Sequence, residues 1–179
     1  MNSTTNPIAI QSKNMYVHAL LELLKEKPYQ EISISELSMK ADLSRRTFYR
    51  LFNSMDEILL FHIHDLWAKK SDELYSSSDK SYLHTSEFAL HFWYENKELT
   101  ILLYQNGLVS IMQQFINEIS LEIYHAQKGN RKLAKNPEAL EYALSYSSGG
   151  VLNIIWTWAS KGMDKTPEEL MSLLKLALE

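Results

Sequence analysis

The sequence contains no cysteine, and it has few residues that interrupt helices: five glycines and four prolines among 179 residues. The absence of cysteine excludes disulfide scaffolds and thiolate metal sites, and it is typical of a reducing compartment. Because Gly and Pro disfavour helix interiors most strongly, their scarcity favours long helices with few turns between them. No strand pattern, internal repeat or low-complexity tract is visible in the sequence. We therefore predict an all-α protein.

Long hydrophobic runs are also missing. The longest apolar stretch, 151–159, is interrupted by Asn153 and Thr157. It is much shorter than the roughly 20 residues that a membrane-spanning helix needs. The polar N-terminal residues have no basic segment followed by an apolar one, so they do not resemble a secretory signal. We therefore expect a cytoplasmic protein with no membrane partner.

Positive charge is scarce overall but concentrated in one segment. The chain has a formal net charge of −4, which is unusual for a protein that contacts DNA phosphates. The segment 33–53 differs, because it carries four cationic side chains, Lys40, Arg45, Arg46 and Arg50, against two carboxylates. A basic patch on an acidic chain indicates a DNA-binding head with a separate regulatory body.

The first helix is predicted from apolar spacing. Residues 1–11 are polar, and we expect a flexible arm there. Apolar residues then recur at i, i+3, i+4 and i+7 from Val17 to Leu24, which predicts a helix that starts at Ser12 and is stopped by Pro28.

Two short helices follow, each with its own start signal. Ser33 and Glu36 form a Ser-x-x-Glu capping box that opens a helix ending near Ala41. Asp42 tolerates the left-handed conformation of a tight turn, and Ser44 can cap the helix after it. Two short helices separated by about three turn residues form a helix-turn-helix.

The second of these helices has one apolar face and one face rich in hydrogen-bond donors. We predict that DNA is contacted by this donor-rich face and by the two helix starts: Ser33, Ser44, Arg45, Arg46, Thr47, Tyr49 and Arg50. In this hypothesis Arg46 reads a guanine edge and Tyr49 holds a phosphate. The alternative is an ordinary solvated helix face.

A second Ser-x-x-Glu box, Ser54 to Glu57, opens a fourth helix that we predict to continue to about Leu74 and to join two domains. The helix-turn-helix domain is placed at 12–60, and a regulatory, ligand-binding and dimerisation domain at 61–179. Further helices are predicted at 81–95, 98–105, 108–127, 138–160 and from 167 onward, the last capped by Thr166.

The segment 32–60, ISISELSMKADLSRRTFYRLFNSMDEILL, resembles the DNA-binding domain of the TetR family of bacterial transcription factors. The similar features are a capped short helix, a turn, and a Ser-started recognition helix with Thr, an aromatic residue and Tyr, followed by Phe. Two residues depart from the family pattern. Asp42 stands where the family commonly has glycine, and Met55 stands where it commonly has a lysine near a DNA phosphate, which implies one phosphate contact fewer.

The segment 146–170 resembles, more loosely, the closing helices of a TetR branch that includes regulators beside dihydroxyacetone kinases. This resemblance implies a homodimer that joins through the last two helices. We predict an interface made of small and aromatic residues on one helix and a leucine stripe on the other: Tyr142, Gly149, Gly150, Trp156, Leu170, Leu173, Leu174 and Leu178.

A TetR-like body also implies a cavity between its helices. We predict that large aromatic and Met side chains surround a small apolar or aromatic ligand there: Trp93, Tyr104, Met112, Phe115 and Tyr146. The alternative for each of these side chains is plain core packing.

Catalytic and metal-binding motifs are not visible in the sequence. The six histidines form no His-x-x-x-His pair, and no phosphate loop or nucleophile elbow is present, so we expect no metal, no cofactor and no enzyme activity. The sequence thus predicts a repressor that binds an inverted repeat in double-stranded DNA and is released from it by a small-molecule ligand. Two alternatives remain: a coactivator whose body binds a partner protein, and a small helical enzyme that carries a helix-turn-helix.

Overall fold

The computed structural model describes residues 6–126 and 135–178, with side chains up to residue 176. The chain divides into two compact units, Met1–Leu66 and Trp67–Glu179, and the division lies within one helix. This division comes six residues after the predicted domain boundary at 60. Within the described ranges, none of the helices combines the length and the apolar character needed to cross a membrane.

The first unit contains the predicted helix-turn-helix. Its elements are α1 (Pro7–Glu26), a single 3₁₀ turn (Tyr29–Glu31), α2 (Ile34–Lys40), α3 (Arg45–Leu51) and most of α4 (Met55–Ala68). The second unit, called the body below, contains the remaining helices: α5 (Ser71–Ser76), α6 (Tyr82–Glu95), α7 (Lys97–Gln105), α8 (Val109–Ala126), α9 (Pro137–Ser160) and α10 (Pro167–Leu178). The described residues form helices and no strands, which confirms the all-α prediction.

The first helix begins earlier than the apolar spacing predicted. α1 starts at Pro7, so residues 7–11 are helical and the expected arm does not extend to residue 11. The Asn6 side chain accepts a hydrogen bond from the Ile8 amide at 3.0 Å, and Pro7 occupies the first helical position, where its missing N–H is no disadvantage.

The long fourth helix was predicted wrongly, because it does not reach Leu74. α4 ends at Ala68 and α5 begins at Ser71. Between them the Lys70 amide donates to the Trp67 carbonyl at 3.0 Å, and the Lys70 ammonium pairs with Glu95 of α6. Ser71 is buried. The break is therefore held by contacts within the body and not by a Gly or Pro.

Three helices end in the same hydrogen-bonded motif. After α2 the Leu43 amide donates to the Ser38 carbonyl at 2.9 Å, and Asp42 has φ +53°, as its sequence position predicted. This is a Schellman ending, in which the left-handed residue is most often glycine. Gly107 after α7 and Gly162 after α9 occupy that position with φ +67° and +68°.

Each unit has its own aromatic core. In the first unit the buried Tyr16 ring meets Phe48 and Phe52 edge-on, with centroid distances of 5.6 and 6.1 Å. In the body a group that we call the aromatic cluster joins α4, α6 and α8: Trp67, Phe88, Phe92, Trp93 and Phe115. All five of these rings are buried.

Candidate DNA-binding surface and body cavity

The start of α3 is fixed by three hydrogen bonds. The Ser44 side chain accepts from the Thr47 amide at 3.1 Å and lies 3.0 Å from the Thr47 hydroxyl. The Tyr16 phenol of α1 donates to the Ser44 carbonyl at 3.0 Å. Since Tyr16 is fully buried, α1 holds the beginning of α3 in one position.

The outer face of α3 is exposed and positively charged. Phe48 is fully buried and anchors the inner face, whereas Arg45, Arg46 and Arg50 are exposed. Tyr49 is 56% exposed, and its ring leans edge-on against Phe48 at 5.3 Å. Within the described part of the chain, no ion pair or hydrogen bond holds these three guanidinium groups, so their fixed donors face solvent.

The charged groups around α2 are already paired. Lys40 lies 3.0 Å from Glu26, whose carboxylate raises the pKa of the Lys40 ammonium. The Ser33 side chain caps the Glu36 amide at 3.2 Å, as predicted. The Lys27 ammonium, and after it the Ser33 amide, lower the pKa of the Glu36 carboxyl. The cations that remain available in the segment 33–53 are therefore the three arginines of α3.

One exposed residue beside this surface was not among the residues predicted to contact DNA. Met39, near the end of α2, is 80% exposed next to the turn. A methionine in a short amphipathic helix predicts core packing, and only the observed orientation of α2 places it outside.

The second capping box works through a neighbouring residue. Ser54 accepts from the Glu57 amide at 3.3 Å, but the Glu57 carboxylate returns to Asn53, accepting from its backbone at 2.9 Å and from its side chain at 2.8 Å. The hydrogen bond from the Asn53 backbone amide is the main cause that lowers the pKa of the Glu57 carboxyl.

Tyr29 donates a hydrogen bond to Asp56, and burial of the Tyr29 phenol is the main reason that the pKa of this phenol is raised.

The body contains a cavity of about 480 Å³, bounded by α6, α8, α9 and the residues before α6. This size lies within the range of small-molecule sites. Its lining is mostly aliphatic, with several hydroxyl groups and one ammonium: Lys80, Tyr82, Thr85, Ser86, Ala89, Trp93, Ile116, Ile119, Ser120, Ile123, Tyr124, Leu140, Ala143, Leu144, Ser147 and Val151.

The residues predicted to surround a ligand do not come together. Of the five, Trp93 alone lines the cavity. Met112 and Phe115 are fully buried in the core, and Tyr104 lies against Trp156 at 4.8 Å. Tyr146 is 83% exposed. Core packing, the alternative considered above, thus describes Met112 and Phe115.

The described residues predicted for the dimer interface are partly exposed and partly half-buried: Tyr142, Gly150 and Leu173 are exposed, and Gly149, Trp156, Leu170 and Leu174 are half-buried. Tyr142 and Leu173 are 68% and 50% exposed. Gly149, Gly150 and Leu174 line a groove of about 430 Å³, and Leu170, Leu173 and Leu174 line another of about 330 Å³. Trp156 lies in neither groove and packs against Tyr104. The side chain of Leu178 lies outside the described residues.

Family comparisons cover both units. The family described as "Bacterial regulatory proteins, tetR family" matches residues 17–60, and the family described as "Transcriptional regulator C-terminal region", a TetR C-terminal family, matches residues 80–179. Because the second match spans more than half of the chain, the protein belongs to the TetR family of transcriptional regulators. The exposed α3 is therefore part of a TetR-type DNA-binding helix-turn-helix. A search of curated proteins finds no match.

Two solved structures share this fold. Lin0861 from Listeria innocua is 15% identical with a TM-score of 0.82, and the alignment covers 99% of this chain and 94% of Lin0861. The dihydroxyacetone kinase operon activator DhaS is 18% identical with a TM-score of 0.55, and the alignment covers 93% of each chain. At these identities the likeness establishes the fold alone.

Proposed function

We propose that this TetR-family regulator is a homodimeric repressor that binds an inverted-repeat operator and leaves it when a small molecule enters the body cavity. The observation that carries the DNA part is the outer face of α3, where three guanidinium groups are exposed and unpaired within the described residues. Guanidinium groups bind phosphates and guanine edges in a bidentate way.

On this surface we assign different tasks to neighbouring residues. Arg46 reads a guanine in the major groove, while Arg45, Arg50 and Tyr49 hold phosphates. The hydroxyls of the remaining predicted contacts lie at the two helix starts: Ser33, Ser44 and, in the first turn of α3, Thr47. Met39 supplies an apolar surface that suits a thymine methyl group.

The dimer part of the proposal is supported by the apolar face of α9 and α10. Leu173 and Leu176 are 50% and 73% exposed, and side chains of this kind need cover in a folded assembly. Gly149 and Gly150 have no neighbouring side chain or other helix packed where a Cβ would lie, so the backbone there is open to close approach by a partner helix. A two-fold dimer presents two recognition helices about 34–36 Å apart, which corresponds to an inverted repeat.

The aromatic cluster offers a route from the cavity to α4. Trp93 lines the cavity and meets Phe115 at 5.8 Å. Phe115 in turn meets Trp67 of α4 at 6.0 Å. Since close-packed side chains transmit strain, a ligand against Trp93 acts on Trp67, which lies in α4, the helix in which the chain passes from one unit to the other.

Selection of bound sites from random duplex DNA tests the DNA part directly. We expect enrichment of an inverted repeat whose half-sites are one helical turn apart. Recovery of no sequence, or of a single unrepeated site, would contradict the proposal. The Arg45→Ala, Arg46→Ala, Arg50→Ala triple variant serves as the control and should recover no site.

Two further measurements test the remaining parts. Sedimentation at micromolar concentration should give a dimer, and Leu173→Glu should convert it to a monomer. Transcription from a promoter overlapping the selected site should fall when the protein is added. A rise would instead indicate an activator, which is how the neighbour DhaS is named.

A further inference from the structure

The body cavity has a burial gradient along α6. Lys80 and Tyr82 are exposed, Ser86 and Ala89 are half-buried, and Trp93 is 1% exposed. By the helical rise, the segment from Tyr82 to Trp93 covers about 16 Å. The cavity therefore has a mouth at the start of α6 and a closed end at Trp93, and its shape suits an elongated molecule.

Polarity follows the same gradient. The closed end is apolar, since Trp93 is joined there by Ile116. Trp93 and Ile116 lie at the same end of the cavity because the Trp93 ring contacts Phe115, the residue before Ile116. The mouth instead carries an ammonium, Lys80, and a phenol, Tyr82.

The charges of the lining have one sign. Lys80 is the one charged side chain among the described lining residues, and no carboxylate lies among them. Its ammonium donates to the Tyr75 carbonyl at 3.0 Å, which uses one of its three N–H groups. The neighbouring Asp79 is not a lining residue, and its carboxylate accepts from the Ser81 amide at 2.8 Å. Among the described lining residues a cationic ligand would find no counter-charge, whereas an anion would find the two remaining N–H groups of Lys80.

A hydroxyl farther in is unpaired. In the same helix the Thr85 hydroxyl donates to the Ser81 carbonyl at 3.1 Å, the usual arrangement for a helical Ser or Thr. The Ser86 hydroxyl is buried and has no hydrogen-bond partner among the described residues. Buried polar groups are nearly always hydrogen-bonded, and Ser86 follows Tyr82 by one helical turn, so this hydroxyl is suited to the polar end of a molecule held near the mouth.

We propose that the cavity binds an amphiphilic anion, with its apolar part against Trp93 and its carboxylate at Lys80. This inference rests on the proposed function, because it names the class of ligand for the same cavity. An aliphatic and an aromatic acid share this chemistry. The direction of the molecule is fixed by the gradient of burial and charge along α6.

Calorimetric titration of the full chain with three probes of equal chain length tests the charge preference. The probes are dodecanoate, dodecanol and dodecyltrimethylammonium, the two ionic ones below their micelle concentrations and dodecanol below its solubility limit. We expect dodecanoate to bind about tenfold more tightly than dodecanol, because an ionised hydrogen bond replaces a neutral one, and the cation to bind most weakly. Naphthoate is added as an aromatic acid, and its affinity relative to dodecanoate shows whether the cavity prefers an aromatic or an aliphatic acid. A preference for either acid is consistent with the proposal.

Three variants locate the site. Lys80→Met should reduce dodecanoate affinity to that of dodecanol and leave dodecanol affinity unchanged. Lys25→Met removes another exposed charge, in the first unit, and should change neither value. Ala143→Trp should place an indole ring in the cavity and weaken binding of both probes, with helicity checked by circular dichroism. Because Lys80 is exposed, Lys80→Met does not depend on repacking and keeps the test valid if Ala143→Trp does not fold.

Equal or tighter binding of dodecanol or of the cation would overturn the proposal. So would undiminished binding of both probes to a folded Ala143→Trp variant, or a failure of both acids to bind. Operator release is measured separately on the selected site. If dodecanoate binds at Lys80 without releasing DNA, the ligand class stands and ligand-driven release is wrong. If no acid binds while operator binding is intact, the ligand class is wrong and the DNA part stands.

Discussion

The two units use large side chains differently. In the first unit Tyr16, Phe48 and Phe52 pack on one another and hold the start of α3. In the body the aromatic cluster packs between α4, α6 and α8, but a cavity of about 480 Å³ lies beside it. A filled core keeps a recognition surface in one geometry, whereas a partly filled one leaves room for a bound molecule.

The largest effect is expected where the first unit is most tightly filled. Phe48→Ala should lower the free energy of unfolding of this unit by about 3–5 kcal/mol, because it removes a fully buried ring that contacts Tyr16 and Phe52. Operator binding should be lost with it. Urea unfolding followed by circular dichroism measures the change. A loss below about 1 kcal/mol would show that the core tolerates a cavity there.

Next come the side chains on the outer face of α3, which should affect DNA binding without affecting folding. Arg46→Ala should weaken operator binding by about 1–3 kcal/mol per half-site and relax the base preference at one position. Tyr49→Phe should weaken binding about equally on the operator and on mutated sites, since it removes one phosphate hydrogen bond. Band-shift titrations on both DNAs measure this. Unchanged binding in both variants, with normal helicity, would remove α3 from the interface.

A matched pair of substitutions compares the two interiors directly. Ala19→Leu in the first unit should destabilise by about 1–3 kcal/mol, because Ala19 is 5% exposed in a packed core. Ala143→Leu in the cavity wall should change stability by less than about 0.5 kcal/mol, because the added methyl groups enter open space. Equal losses in thermal denaturation would mean that the cavity is closed in solution.

The smallest effect concerns the left-handed residues that end α2 and α9. Asp42→Gly should stabilise the first unit by about 0.5 kcal/mol, because glycine adopts positive φ without steric strain but gains more freedom when unfolded. Gly162→Ala should destabilise the body by about 1 kcal/mol, although its Cβ has open space. Stability curves in urea measure both, and a gain in the second variant would contradict the backbone argument.

Helix starts were predictable because a cap is a local signal. Ser33, Ser44 and Thr166 each accept from an amide three residues on, as their positions in the sequence predicted. The start of α1 was missed although Asn6 and Pro7 form the same kind of signal. The break between α4 and α5 has no such signal, because it depends on Glu95, which is 25 residues from Lys70 in the sequence.

The position of the cavity could not be predicted from the large aromatic residues of the sequence. Large aromatic side chains bury themselves, so a search for them finds core residues such as Phe115. Space arises instead where small side chains face each other on neighbouring helices, here Ala89, Ser120 and Ala143. The spacing of small residues along α6 and α9 is present in the sequence, but their juxtaposition is a property of the fold. Contact of the α3 residues with DNA stays a prediction.

The uneven placement of the indole rings has a spectroscopic consequence. All four tryptophans of the chain, at positions 67, 93, 156 and 158, belong to the body, while Tyr16, Tyr29 and Tyr49 are the aromatic phenols of the DNA-binding unit. Emission excited at the red edge of the absorption band therefore originates from the body alone. The Trp93 ring lies in the cavity wall, so part of that emission comes from the site where a ligand would bind. Tryptophan fluorescence therefore reports the thermal unfolding of the body separately from that of the DNA-binding unit, and no dye needs to be attached.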